Sequence, residues 1–269
     1  MKLQLHRHRQ CAEYSLAVCV LASGSKGNAI YISDGFTAIL VDAGLSGIEI
    51  KRRLKPRGLN PKDIDAILVT HEHSDHIHAV GVLSRQLKLP IYLNRKIEKK
   101  ASIGNSVHEI RTFQCGSTFQ ISNLVVHPFA VSHDAADPVG FTIGQNGRRI
   151  GLATDLGTVT PLVKENLKDC HLLIIEANHD PDMLLNGPYP WPLKQRIQSR
   201  MGHLSNLQSQ NLLMALQHSR LEHVILAHLS ETNNAPQKVL DEVSKALTRC
   251  KPRLTIASQH RCGEVIYLK

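Results

Sequence analysis

Six short apolar runs in this chain each lead to a residue able to bind a metal ion, and that recurrence constrains the fold more than any other feature. Ala38-Ile39-Leu40-Val41 ends on Asp42, and Ala66-Ile67-Leu68-Val69-Thr70 ends on His71. Ile150-Gly151-Leu152-Ala153-Thr154 ends on Asp155, Leu172-Leu173-Ile174-Ile175 on Glu176, and Val224-Ile225-Leu226-Ala227 on His228. Val125-Val126 leads through Ala130-Val131-Ser132 to His133. Short apolar runs bounded by Gly, Asn or Asp read as strands covered on one or both faces. Ligands mounted at the ends of such strands sit on a rigid platform, so they converge with little ordering cost.

The densest of these ends is His71-Glu72-His73-Ser74-Asp75-His76. Three imidazoles and a carboxylate in so short a stretch cannot all avoid one another. His71 and His73 alternate as on an extended segment and can share one cation. Asp75 and His76 then open a helix and can face a second. No thiolate is offered, and a nitrogen and oxygen donor set suits zinc, manganese or iron. The zinc-protease pattern H-E-x-x-H is excluded, because Asp75 stands where its second histidine is needed.

Further strands are predicted at Leu16–Leu21, Ala29–Ile32 and Leu124–Val126. Ser46-Gly47-Ile48-Glu49 fits a capping box that opens a basic helix running to Arg57, and Ser205-Asn206-Leu207-Gln208 fits another. Thr160-Pro161 places proline in a first helical turn, and Pro236–Leu247 is an amphipathic helix candidate. Gln145-Asn146-Gly147 reads as a hairpin turn between two short apolar runs. Strand-rich and helical stretches alternate twice, which predicts an α/β sandwich of two sheets with helices outside. No repeat, low-complexity tract or internal boundary interrupts it. Residues 16–269 are read as one domain, and the basic residues 1–15 as a flexible arm or the product of an upstream start.

Of 269 residues, 42% are hydrophobic and 20% charged, the balance of a globular protein with a sizeable core. No run approaches the roughly 18 apolar residues of a membrane span. No secretory leader pattern follows Met1–Gln10, so the cytoplasm is the expected compartment. Cys11, Cys19, Cys115, Cys170, Cys250 and Cys262 form no C-x-x-C pair, which argues for reduced thiols and against a disulfide scaffold or zinc ribbon. A formal net charge of +9 favours a polyanionic partner such as nucleic acid, although a basic protein without one carries the same charge.

The H-x-H-x-D-H run, taken with Asp42 in Val41-Asp42-Ala43-Gly44, His133, Asp155 and His228, resembles the metallo-β-lactamase superfamily. Leu21-Ala22-Ser23-Gly24-Ser25-Lys26-Gly27-Asn28, Glu176-Ala177-Asn178-His179-Asp180, Gly202-His203-Leu204-Ser205-Asn206 and the segment Ala227–Asn234 are similar to its YycJ/WalJ branch. The resemblance runs from about Val18 to the C-terminus and implies a four-layer αββα sandwich. It also implies two divalent ions (manganese or zinc, with iron an option). His71, His73 and His133 would hold the first, Asp75, His76 and His228 the second, and Asp155 both. Asp42 would orient ligands without binding metal. An aspartate at 155 points to phosphodiesters rather than β-lactams. The implied activity is 5′ to 3′ exonuclease action on DNA in repair, through a hydroxide held between the ions.

Asp75, His203 and Glu176 are the catalytic candidates. His203 precedes a helix N-terminus, where it can protonate a leaving oxygen or merely cap the helix, and Glu176 can raise its basicity. His179 is a candidate to support the ligands or to face substrate. Ser23, Ser25 and Asn28 lie on a glycine-rich turn that either binds phosphate or simply reverses the chain. Tyr189-Pro190-Trp191-Pro192-Leu193-Lys194-Gln195-Arg196 mixes aromatics with cations, and Lys194 and Arg196 are candidate backbone contacts. His6 and His8 read as solvated. The competing functions are a phosphodiesterase of small molecules or cyclic nucleotides, a nuclease of RNA, a thioesterase or lactamase, and a non-catalytic adaptor.

Overall fold

A computed structural model describes residues 15–269. The predicted arm falls almost entirely outside them, as do His6, His8 and Cys11. In the first sheet β1 (Leu16–Ala22), β2 (Ala29–Ser33) and β3 (Ala38–Val41) run antiparallel. β4 (Ala66–Leu68), β5 (Pro90–Asn94) and β6 (Glu109–Phe113) then add parallel to one another. Their crossovers carry α1 (Gly47–Leu54), α2 (Ser74–Ile77), α3 (Val80–Leu87) and α4 (Arg95–Lys100). The second sheet repeats the plan. β7 (Phe119–Ile121), β8 (Leu124–Ala130), β9 (Val139–Gln145) and β10 (Arg148–Ala153) are antiparallel. β11 (Leu172–Glu176), β12 (His223–Ala227) and β13 (Arg253–Ile256) continue in parallel. Between them lie α5 (Pro161–Leu167), α6 (Pro181–Asn186), α7 (Trp191–Gln198), α8 (Asn206–Leu216) and α9 (Pro236–Ser244). The C-terminal β14 (Ile266–Leu268) returns to the first sheet and pairs with β1. Among the described residues each sheet has seven strands.

The strands are apolar on both faces because both faces are covered. In β3, Ile39 and Val41 point between the sheets, where they meet Phe141, Leu152 and Ile174, whereas Ala38 and Leu40 pack under α1 and α3 with Ile50, Leu54 and Leu83. In β11, Leu172 and Ile174 face the other sheet, while Leu173 and Ile175 meet Val163, Leu212 and Val239 of the outer helices. The order is helix, sheet, sheet, helix, the expected four layers.

The local signals act as their chemistry requires. Ser205 and Gln208 form both halves of a capping box, and Thr160 caps α5 with proline at its start. Asn146 and Gly147 both take positive φ (48° and 77°) in a two-residue turn that pairs Gln145 with Arg148. At Ser46 only half of the expected box forms. Its side chain accepts from Glu49 N–H, but the Glu49 carboxylate turns to Arg52 and Arg53 instead. The regular helix ends at Leu54, and a single 3₁₀ turn carries the chain to Arg57. α9 likewise stops at Ser244 rather than Leu247.

Candidate metal centre

Parallel strands discharge their C-terminal ends on one edge, and here both sheets do so at the same place. Asp42 follows β3, His71 follows β4, Asp155 follows β10, Glu176 closes β11 and His228 follows β12. Asp42, Asp155 and His228 all hold left-handed backbone, with φ of 59°, 54° and 56°. The chain bends sharply at these three positions, just past the strand ends. The close approach of two loops also depends on Gly44, since a Cβ there would lie 1.6 Å from the Asp75 carbonyl oxygen.

Two donor sets result. His71, His73 and His133 form one, with His73 Nδ1 3.1 Å from His71 Nε2 and 3.3 Å from His133 Nε2. Asp75, His76 and His228 form the other, with Asp75 Oδ2 3.6 Å from His76 Nε2 and 3.9 Å from His228 Nε2. Asp155 lies between them, its oxygens 3.2 Å from His76 Nε2, 3.5 Å from His228 Nε2 and 3.8 Å from His133 Nε2. The donor spacing fits a bound cation. Nitrogens about 2.0–2.1 Å from a tetrahedral ion stand roughly 3.4 Å from one another. Asp155 Oδ2 and His228 Nε2 are buried without a hydrogen-bond partner among the described residues, as befits atoms that could face a metal.

In His71, His76, His133 and His228 the other ring nitrogen is occupied, which fixes which nitrogen each of these imidazoles presents. His76 Nδ1 donates to Asp42 Oδ2 at 2.7 Å. The Thr70 hydroxyl donates to the same oxygen at 2.8 Å and accepts from His71 Nδ1 at 3.0 Å. His133 Nδ1 donates to the Gly202 carbonyl. Glu176 Oε1 accepts from both His203 Nδ1 at 2.7 Å and His228 Nδ1 at 3.0 Å. Its other oxygen accepts the backbone N–H groups of Leu156 and Leu204. Burial alone would raise the Glu176 carboxyl, but His203 and His228 outweigh it and bring it down to about 2. Burial opposes charge on His228 too, yet Asp155, Asp75 and Glu176 raise it to about 10. Asp155 is likewise held well below the usual carboxylate range, where His228 and His76 overcome the cost of burial. Buried carboxylates and imidazoles thus stabilise one another's charged forms across the site.

A cavity of about 210 Å³ opens beside His133, His203 and His228, with Ser25 and Arg196 on its wall. His203 therefore presents its free edge to the cavity while Glu176 holds the other. Ser23 and Asn28 make contacts with the donor residues themselves. The Ser23 hydroxyl accepts the His228 backbone N–H at 2.8 Å, and the Asn28 amide lies 3.3 Å from Asp75 Oδ2 and 3.0 Å from His76 Nε2. Lys194 donates to the Leu185 carbonyl at the end of α6, and Arg196 pairs with Asp134. His179 joins neither donor set. It is buried, lowered to about 4 by that burial, and its Nδ1 has no partner among the described residues. Sequence reasoning missed Thr70, whose only signal is its place before His71, and Asn178, whose amide holds the His228 carbonyl at 2.8 Å.

The fold and the donor set together define a metal-dependent hydrolase of the metallo-β-lactamase class. The family model for the Beta-lactamase superfamily domain matches residues 37–229, and the chain belongs to that family. It is 40% identical over 231 residues to the exodeoxyribonuclease YycJ of Bacillus anthracis, a match covering 85% of this chain and 88% of that protein. It is 38% identical over 228 residues to the exodeoxyribonuclease WalJ of Streptococcus pneumoniae, covering 83% and 85%. Among solved structures the fold is shared with YhfI of Bacillus subtilis, at a TM-score of 0.74 and 19% identity over 93% of this chain and 99% of that one. Zn(2+)-bound PqqB of Methylobacterium extorquens shares it at 0.70 and 19%, over 94% and 100%. Among the described residues no helix is long and apolar enough to cross a membrane.

Proposed function

We propose that the protein is a dinuclear metal-dependent phosphodiesterase acting as a 5′ to 3′ exonuclease on DNA, with a place in repair in the cytoplasm. The observation that carries this reading is the pair of donor sets flanking Asp155 beside one cavity. The identity of its relatives supports DNA as the substrate, and the net charge of +9 agrees. Two divalent ions bound there, zinc or manganese, would lower the pKa of water and take up charge on the phosphoryl oxygens.

The chain's own residues supply the rest. Asp155, Asp75, His71, His73, His76, His133 and His228 would hold the ions, and Asp42, Thr70 and Glu176 fix the rings from behind. His203 faces the cavity through its Nε2 edge with Nδ1–H held by an anionic Glu176. With Nδ1 held in that way, Nε2 is the nitrogen left to exchange a proton with the departing sugar oxygen. Ser25 and Arg196 lie where a phosphate backbone would enter.

The test is an end-labelled linear duplex incubated with manganese or zinc, with and without chelator. Stepwise loss from the 5′ end that chelator abolishes is expected, and no metal-dependent hydrolysis would overturn the reading. The small cavity also favours a second reading, a hydrolase of small phosphodiesters. That enzyme would cut a nucleotide ester and leave long duplexes intact.

A further inference from the structure

The excursion between β11 and α8 contributes little to the core. α7 buries no side chain, and α6 buries only Leu184. Yet Tyr189, Leu193, Ile197 and Met201 recur every fourth residue along it, and all four line the cavity that holds His203. Tyr189, Leu193 and Ile197 are half-buried and Met201 is 47% exposed, so this apolar stripe faces open space rather than packed neighbours. An apolar wall left unpacked beside a polar metal site is costly unless something apolar comes to rest on it.

The wall is also bolted to the chemistry. The His203 backbone N–H donates to the Ile197 carbonyl at 2.9 Å. Gly202 admits no side chain, because a Cβ would stand 2.2 Å from that same oxygen. The Gly202 carbonyl in turn accepts from His133 Nδ1. One turn thus sets the distance between the stripe, the proton-donating edge of His203 and the first donor set.

We propose that this cavity receives the terminal nucleoside of a DNA strand, with its base against Tyr189 and Met201 and its sugar toward His203, so that one nucleotide leaves per cut. The inference rests on the nuclease reading above. In a cut from the 5′ end the leaving oxygen is the 3′ oxygen of the terminal nucleoside, the atom that must lie beside His203. A volume of about 210 Å³ is of the size of one nucleoside. The stripe offers stacking surface and little to read a base edge, so it accepts any base.

The experiment uses two 5′-phosphorylated duplexes that differ only in whether the terminal 5′ nucleotide carries a base or is abasic. Base stacking on an aromatic ring predicts a kcat/KM for the abasic end lower by roughly 5- to 150-fold. Tyr189→Ala should lose a similar factor on the intact end and nothing further on the abasic one, while Tyr189→Phe keeps the wild-type pattern. Met201→Ala, at an exposed position, repeats the comparison should Tyr189→Ala fold poorly. First-turnover products should be mononucleotides. Equal rates on the two ends, an unaffected Tyr189→Ala enzyme, or dinucleotide and longer products would overturn the inference while the nuclease reading stands. No metal-dependent cutting of either duplex would overturn both.

Discussion

Glu176 is the residue on which most of the site converges, since one of its oxygens serves His203 and His228 together and the other anchors two backbone N–H groups. Glu176→Gln keeps the size but replaces the anion with an amide that cannot stabilise a charged imidazole. Activity or metal affinity should fall roughly 10- to 100-fold, measured as kcat and as metal content of the purified protein. His203→Ala should lower kcat by about 10²–10⁴-fold with metal content unchanged, and an unaltered kcat would leave His203 with only its place in the turn. Asp155→Ala, which removes the oxygens between the two donor sets, should abolish turnover while circular dichroism still reports a folded chain. The residues that carry the donors were legible in the sequence because imidazoles and carboxylates at strand ends have few other uses. The supporting contacts were not. Ser23 and Asn28 sit on a turn whose direction depends on tertiary packing, and it aims them at His228, Asp75 and His76 instead of into the cavity.

At the scale of elements, α1 shows how a local signal can be redirected. Its Glu49 carboxyl is lowered to about 2, first by Arg52 and then by Arg53. Arg53 is almost fully buried and also donates to the carbonyls of Leu21 and Gln259. A charge bound into the fold in that way outcompetes the reach back to the Ser46 N–H. Because the folded carboxyl titrates below its ordinary value near 4.5, its contribution is present above that pH and is lost as pH falls toward 2. Glu49→Gln should therefore cost about 0.5 kcal/mol at pH 7 and progressively less between pH 4.5 and 2, read from urea midpoints. The elements hardest to read were β6, β7, β13 and β14, which lie at or next to the sheet edges. In β6, Glu109, Arg111 and Thr112 are exposed, so no apolar run announces it. β9 was hidden by Gly140 and Gly144, which interrupt an otherwise apolar stretch.

On the scale of the whole molecule, the two sheets are built alike, each an antiparallel stretch that turns parallel, and the site exists only where their ends meet. This explains why the donors are scattered from His71 to His228 yet stand a few ångströms apart. A protein of net charge +9 that tracks long duplexes should lose kcat/KM steeply between 50 and 200 mM salt, on the order of one decade or more, while hydrolysis of a small phosphodiester barely changes. Parallel log–log slopes for the two substrates would argue against a backbone-tracking enzyme.

The left-handed bends at Asp42, Asp155 and His228 carry a consequence for what can replace them. Each such bend costs a chiral residue roughly 1 kcal/mol, least for asparagine and aspartate and nothing for glycine. A lineage that abandoned catalysis would relax at these three hinges first, drifting toward glycine or asparagine and growing more heat-resistant as it lost its chemistry. A working enzyme of this build would be confined to side chains that tolerate the bend and can also reach an ion at 155 and 228, or accept from His76 and Thr70 at 42.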